Sequence, residues 1–153
     1  MTRHPRVLMV CSSGGHLAQL IAMRSWWSSR DVCWVTFPTA DSESLLAGER
    51  MVPAYFPTTR NLKNLARNGI LAARVLRREH PDVIVSTGAG VALPFFVLGR
   101  LLGIPTVYIE VFDRIDKPTL SGRLCRPFTT RMLVQWDEQK HLYAGSTLVG
   151  RLL

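Results

Sequence analysis

At 153 residues, 47% hydrophobic and 20% charged, the chain is long and apolar enough for one domain with a real core, which excludes a disordered or low-complexity protein. No uninterrupted run of about twenty apolar residues is present, so no membrane-spanning helix is expected, and the polar start Met1 to Arg6 does not read as a signal peptide. The formal net charge of +8 is uneven, with eleven Lys/Arg against four Asp/Glu in residues 1–78 and eight against seven in 79–153.

A basic half suits an anionic surface such as acidic lipid, nucleic acid or nucleotide; the plainer reading is a solvated face. The aromatics are not interleaved with the basic residues and no nucleic-acid motif appears, so no nucleic-acid partner is expected. Cys11, Cys33 and Cys125 are odd in number and scattered. They read as free thiols, two of them in apolar runs, as in a reducing cytosol. No spacing among Cys and His suggests a metal site.

In chain order, Val7–Val10 reads as a strand that ends in Cys11-Ser12-Ser13-Gly14-Gly15-His16. The two glycines allow positive φ and close approach of the backbone to a ligand. Ser12 and Ser13 are expected to cap the helix that follows, whose free N–H groups and dipole suit an anion. His16 at the mouth is the one side chain there able to move a proton near neutral pH. The turn matches neither the dinucleotide fingerprint nor the lysine loop that cradles nucleotide phosphates, and strand–Gly-Gly–helix turns also occur without ligands.

Leu17, Leu20, Ile21 and Trp27 predict a helix over Leu17–Trp27. Val32–Phe37 is a buried-type strand, Asp41 or Ser42 caps a short helix through Ser44–Gly48, and Ala54–Phe56 is a third strand between prolines. Asn61–Glu79 is a long helix with Arg60, Lys63, Arg67, Arg74, Arg77 and Arg78 to one side and Leu62, Leu65, Ala66, Ala72, Ala73, Val75 and Leu76 to the other. Such a helix can lie on an anionic membrane face, or dock on the protein with its basic side in water.

Val83–Val85 forms a fourth strand, followed by a second small-residue loop, Ser86-Thr87-Gly88-Ala89-Gly90. Val91–Leu102 is apolar almost all round, Phe95 and Phe96 included, and is either buried or dips into a bilayer surface. Thr106–Glu110 is a fifth strand ending in a charged cluster with Asp113, Arg114, Asp116 and Lys117. Glu110 is a candidate base or sugar-hydroxyl acceptor there, or the ion-pair partner of Arg114. Ser121–Phe128 is a short helix, Met132–Trp136 a sixth strand, Asp137–Leu142 a last helix, and 144–153 a tail with a short apolar end.

The alternation predicts a single α/β domain over 1–153, a doubly wound parallel sheet with both small-residue loops on one carboxyl edge. A histidine, a carboxylate and backbone N–H donors suit base-assisted group transfer to a hydroxyl, of which glycosyl transfer is one case. The crevice is small for two substrates, so a second chain is expected to complete it.

These segments resemble the asparagine-linked glycosylation protein fourteen family, and within it the bacterial PssD-type proteins of capsule and exopolysaccharide synthesis. The matching stretches are Cys11–His16, Ser86–Pro94, Tyr108–Gly122 and Leu133–Trp136. The resemblance implies the acceptor-binding N-terminal half of a GT-B glycosyltransferase. The implied partners are a separate donor-binding subunit that carries the UDP-sugar, a polyprenyl-pyrophosphate-linked acceptor and the cytoplasmic membrane face; no cofactor is implied. By likeness to the single-chain GlcNAc transferase of peptidoglycan synthesis, His16 would be the base and the glycine-rich loop would lie near the lipid pyrophosphate. Glu110 would sit by the acceptor or at the subunit junction, and the apolar tail at the partner. Ser12, Ser13, Gly14, Gly15, Thr87, Gly88, Ala89, Gly90, Asp113 and Arg114 are the expected substrate contacts. The membrane helix of eukaryotic members is missing here, so membrane contact would fall to Lys63, Arg67, Arg74, Arg78, Phe95 and Phe96. The rival reading from another class is a non-catalytic scaffold that anchors and stimulates the partner.

Overall fold

The computed structural model describes residues 3–153. Met1 and Thr2 of the polar start lie outside the described residues. Seven strands, β1 (Arg6–Val10), β2 (Asp31–Thr36), β3 (Arg50–Pro53), β4 (Val83–Ser86), β5 (Thr106–Ile109), β6 (Arg131–Val134) and β7 (Thr147–Leu148), form one sheet. Their order is β3-β2-β1-β4-β5-β6-β7 and every pairing is parallel. The connections carry α1 (Gly15–Ala22), α2 (Arg24–Trp27), α3 (Ala40–Leu45), α4 (Leu62–Glu79), α5 (Ala92–Leu101) and α6 (Leu120–Cys125). Two 3-10 turns, Arg126–Phe128 and Glu138–His141, complete the chain. This is the expected doubly wound sheet, and its strand order reverses between β1 and β4.

Alternation along the strands divides the core into two layers. Leu8, Val10, Ile84 and Tyr108 face one side, under Ala72, Val75 and Leu76 of α4, Phe95 and Phe96 of α5, and Cys125 of α6. Val7, Met9, Val85 and Ile109 face the other, under Leu17 and Leu20 of α1 and Trp27 of α2. Gly99 lets α5 sit directly on the sheet, since a Cβ there would lie 2.5 Å from Ile84 Cδ1.

Several boundaries differ from expectation, each for a local reason. The Leu17–Trp27 helix is broken at Met23, and the Trp27 indole N–H donates to the Leu20 carbonyl at 2.9 Å. The third strand is Arg50–Pro53 rather than Ala54–Phe56, because the Asn68 side chain takes both the N–H and the C=O of Tyr55, each at 2.9 Å. Thr39, not Asp41 or Ser42, caps α3, in a reciprocal box with Ser42. The Asp137–Leu142 segment is a 3-10 turn, and the tail adds the short β7 beside β6.

Candidate active site

β1 and β4 are paired in register, Val10 opposite Ser86, so the loops that leave them emerge side by side at the carboxyl edge. In the first loop Gly14 holds φ +73 and ψ −136, a conformation that favours glycine, and α1 starts directly after it. Ser12 and Ser13 do not cap α1 as expected: the helix has no side-chain cap, and Ser12 Oγ donates to the Ser13 carbonyl at 3.3 Å. A Cβ at Gly14 or Gly15 would meet nothing within 4 Å, so this backbone faces open space.

His16 and Thr87 clasp the two loops together. His16 Nδ1 lies 2.8 Å from the Thr87 carbonyl oxygen, and Thr87 Oγ1 donates to the His16 carbonyl at 2.9 Å. A carbonyl only accepts, so the neutral ring carries its proton on Nδ1 and keeps the Nε2 lone pair. No protein group among the described residues bonds Nε2. Partial burial pushes the His16 pKa below its usual value, while the Thr87 carbonyl and the negative charges of Glu110 and Asp113 pull it back up. The ring is therefore neutral at pH 7 and able to accept a proton.

The second loop is held tightly. Gly88 at φ +109 donates its N–H to Ser86 Oγ at 2.8 Å, and the Tyr108 hydroxyl occupies the place of a Cβ. Ala89 is left-handed at φ 70, and a Cβ on Gly90 would lie 2.9 Å from Thr58 Cβ.

Glu110 stands where the carboxyl edge was expected to offer a base, but its side chain is fully buried. It forms no ion pair with Arg114 among the described residues. Its oxygens accept from the Val111 N–H at 3.0 Å, the Thr119 N–H at 3.2 Å, Thr119 Oγ1 at 3.0 Å and the Tyr143 hydroxyl. Thr119 Oγ1 in turn caps α6 by accepting from the Gly122 N–H at 3.0 Å, and lies 3.2 Å from the Tyr108 hydroxyl. Burial raises the pKa of both tyrosines, and Glu110 raises them further, so both stay protonated and able to donate.

Asp113 and Arg114 are exposed on the loop between β5 and α6. With Gly15, His16, Gln19 and Phe112 they line a cavity of about 210 Å³. Ala89 and Gly90 line a different, larger cavity of about 550 Å³, together with Thr58, Leu93 and Leu120. Of the predicted site residues, Gly15, His16, Asp113 and Arg114 thus line one hollow and Ala89 and Gly90 another, while Ser12, Ser13, Gly14, Thr87, Gly88 and Glu110 line neither. Sequence reasoning did not single out Thr119, Tyr108, Tyr143 or the buried glutamines Gln19, Gln135 and Gln139. A glutamine inside an apolar strand run, as in Leu-Val-Gln-Trp at 133–136, was the available signal. No group of three His, Cys, Asp or Glu side chains among the described residues is placed to hold a metal ion.

The model of the family described as "Oligosaccharide biosynthesis protein Alg14 like" matches residues 59–152, more than half of the chain. The chain belongs to this Alg14-like family. A mouse UDP-N-acetylglucosamine transferase subunit is 33% identical over 82 residues, covering 50% of this chain and 38% of that protein. The UDP-N-acetylglucosamine–N-acetylmuramyl-(pentapeptide) pyrophosphoryl-undecaprenol N-acetylglucosamine transferase of Halothermothrix orenii is 35% identical over 78 residues, 51% of this chain and 20% of that one. Among solved structures, Acinetobacter baumannii MurG superposes with a TM-score of 0.79 at 18% identity. That match covers 97% of this chain and 46% of MurG, and it shows a shared Rossmann-like fold of GT-B type. The matches to these three relatives thus cover less than half the length of each.

In this Alg14-like chain no helix among the described residues is long and apolar enough to cross a membrane. Phe95 and Phe96, expected at a membrane face, are wholly buried, because α5 packs them onto the sheet. The apolar side of α4 is also divided. Asn64, Asn68, Ala72, Val75 and Leu76 are the buried residues, whereas Leu62, Leu65 and Ile70 are exposed. Asn64 and Asn68 go inward because they satisfy the backbone of Pro57 and Tyr55. Leu65 and Ile70 of this exposed strip run beside Leu93 and Val97 of α5, and Leu62 is 80% and Leu101 76% exposed. Lys63, Arg67, Arg74 and Arg78 are all exposed along α4, although Arg78 is partly spent on Glu79 at 2.7 Å.

Proposed function

We propose that the chain is the acceptor-binding, membrane-recruiting subunit of a two-chain UDP-sugar glycosyltransferase that extends a polyprenyl-pyrophosphate-linked saccharide in exopolysaccharide, capsule or lipid-linked oligosaccharide synthesis. The observation that carries this reading is the His16–Thr87 clasp, which leaves an unprotonated Nε2 at the junction of two small-residue loops. His16 removes the proton of the attacking acceptor hydroxyl as its oxygen bonds the anomeric carbon of the donor sugar, and UDP leaves. The donor comes from a separate chain, and half a GT-B molecule is inactive without it. The Ser12–Gly15 and Thr87–Gly90 backbones hold phosphate or sugar, with Asp113 and Arg114 closing the crevice. Glu110 is a positioning residue: buried, it sets the loop of Asp113 and Arg114 and anchors α6 through Thr119.

The strip of leucines rimmed by Lys63, Arg67 and Arg74 supports peripheral attachment to an anionic membrane, and the attachment proposed is to the cytoplasmic face. Each basic side chain near such a surface contributes about 1 kcal/mol. The test is transfer from labelled UDP-N-acetylglucosamine to a lipid-pyrophosphate sugar in membranes, with this chain, a donor-binding candidate, or both. Transfer only with both supports the reading. Transfer by the candidate alone, merely stimulated by this chain and indifferent to His16→Ala, supports a scaffold instead.

A further inference from the structure

A backbone carbonyl sets the His16 tautomer, so the ring is only as well placed as the loop that carries Thr87. That loop is strained. Gly88 stands at φ +109, and Ala89 at φ 70 is left-handed without being a glycine. Such backbone persists only where its surroundings enforce it. The support comes from Tyr108 on the neighbouring strand β5, paired in register with Ser86. The Tyr108 hydroxyl fills the place where a Cβ of Gly88 would stand, with Tyr108 Cζ 3.1 Å and His16 Cε1 3.6 Å from that point. Tyr108 and His16 thus crowd the same face of Gly88 and leave no room for a side chain there.

The hydroxyl is held in one orientation. Thr119 Oγ1 has one proton and two lone pairs to give. The Glu110 carboxylate only accepts and lies 3.0 and 3.1 Å away, so the Thr119 proton goes to it. One lone pair takes the Gly122 N–H at 3.0 Å, and the other is left for the Tyr108 O–H at 3.2 Å. Tyr108 therefore donates to Thr119, and its oxygen stands against Gly88. The ring below is wholly buried and packs edge to face on Phe96, with centroids 5.9 Å apart. For that packing alone a phenylalanine would serve, without a hydroxyl to take out of water.

We infer that Tyr108 is a positioning residue for His16: anchored by Thr119, its hydroxyl props Gly88 so that the Thr87 carbonyl keeps the ring proton on Nδ1 and the Nε2 lone pair stays free. Without the prop the loop relaxes into the vacated space, and the Thr87 carbonyl turns from Nδ1. The imidazole is then free to carry its proton on Nε2, which leaves no base at the junction of the loops. The value of this device to transfer rests on the reading of His16 as the base; its effect on the tautomer does not.

The test is the long-range ¹H–¹⁵N spectrum of the imidazole rings of the whole chain at pH 8, which reports the nitrogen that carries the proton. The chain has four histidines, and the signals lost in His16→Gln identify this ring. The parent is expected to show the Nδ1–H form. Tyr108→Phe keeps the ring on Phe96 and removes only the hydroxyl, and it is expected to make the Nε2–H form the major one. Tyr143→Phe is the control: it takes a hydroxyl from Glu110 but leaves Thr119 its acceptor, so the spectrum is expected to match the parent. Thr119→Ala is expected to act as Tyr108→Phe does and Thr119→Ser as the parent does, and this pair decides the matter where Tyr108→Phe does not fold. The inference is overturned if the folded Tyr108→Phe or Thr119→Ala protein keeps the Nδ1–H form. It is overturned too if Tyr143→Phe shifts the tautomer as far, which would mark a general loosening. The spectrum needs neither partner nor substrate. An unchanged tautomer together with loss of transfer in His16→Ala rejects only the role of Tyr108. A shifted tautomer with full transfer in Tyr108→Phe keeps that role and rejects His16 as the base, since a ring mostly in the wrong form should lower kcat at least about twofold.

Discussion

Gln135 donates its amide to Gln19 Oε1 at 2.5 Å, joining residues 116 positions apart in the interior. The same amide donates to the Glu110 carbonyl at 3.0 Å, and its oxygen accepts from the Leu152 N–H at 2.9 Å. Gln19 in turn accepts from the Phe112 N–H at 3.3 Å and donates to the Gly15 carbonyl at 3.3 Å. Gln139 completes the set, donating to the Val111 and Arg114 carbonyls at 2.8 and 2.9 Å. These amides tie the start of α1, the Glu110–Arg114 loop and the tail into one unit beneath His16.

Gln135→Leu keeps the size of the side chain but leaves Gln19, the Glu110 carbonyl and the Leu152 N–H short of partners. The expected loss is about 1–3 kcal/mol per buried group left unsatisfied. Urea unfolding checks it: the midpoint falls while the slope is unchanged. An unchanged midpoint would show that water replaces the amide without cost.

Glu110→Gln puts an N–H₂ where an acceptor stood. It opposes at least one of the Val111 N–H, Thr119 and Tyr143 donors. Tyr143→Phe removes only one donor, and hydrogen bonds to a charged group contribute about 1.5–3 kcal/mol. Glu110→Gln is therefore expected to lower the thermal midpoint more than Tyr143→Phe. If Glu110 acts by positioning, transfer activity in both variants follows the fraction folded, and the pH profile keeps its shape. A pH profile that loses a limb in Glu110→Gln alone would instead make this residue a proton carrier.

β1, β2 and β4 were legible because short β-branched and apolar runs end at Ser or Pro, and β5 and β6 because such runs give way to charged residues. The loops at Gly14–Gly15 and Gly88–Gly90 were legible because their composition announces unusual backbone. Glu110 could be placed at the end of β5, but not given its role. Its decisive partner Tyr143 comes 33 residues later, and only the fold brings that hydroxyl to the carboxyl. Phe95 and Phe96 were misplaced for a related reason. A helix that is apolar all round gives no periodic signal of which side meets the sheet, and Gly99 decides it by letting that side approach. The two-residue β7 is too short to leave a pattern.

Burial pushes the Cys11 and Cys125 thiols up to about 12 and Cys33 up to about 11. All three are free and buried. The thiolate is the reactive form, so at pH 8 the folded protein is expected to give no fast reaction with Ellman's reagent. In denaturant three equivalents should react, matching the three cysteines of the chain. A fast equivalent in the folded state would identify a segment that opens locally.

His16 links stability and activity through one pKa. Burial lowers it in the folded state, whereas the unfolded chain titrates near the ordinary value of about 6.5. Between the folded value and about 6.5 the unfolded state binds more protons, so stability rises with pH across this window and is lost as the pH falls through it. His16→Gln removes the titration and is expected to flatten that acid-side loss, read as the unfolding midpoint at several pH values. For transfer with the partner chain, kcat/KM is expected to fall on the acid side with a limb below about 6.5, as Nε2 becomes protonated. His16→Ala should lower kcat by about 10²–10⁴ with partner binding intact. Full turnover in His16→Ala, or an acid limb that survives it, would assign the base to another residue or to the partner.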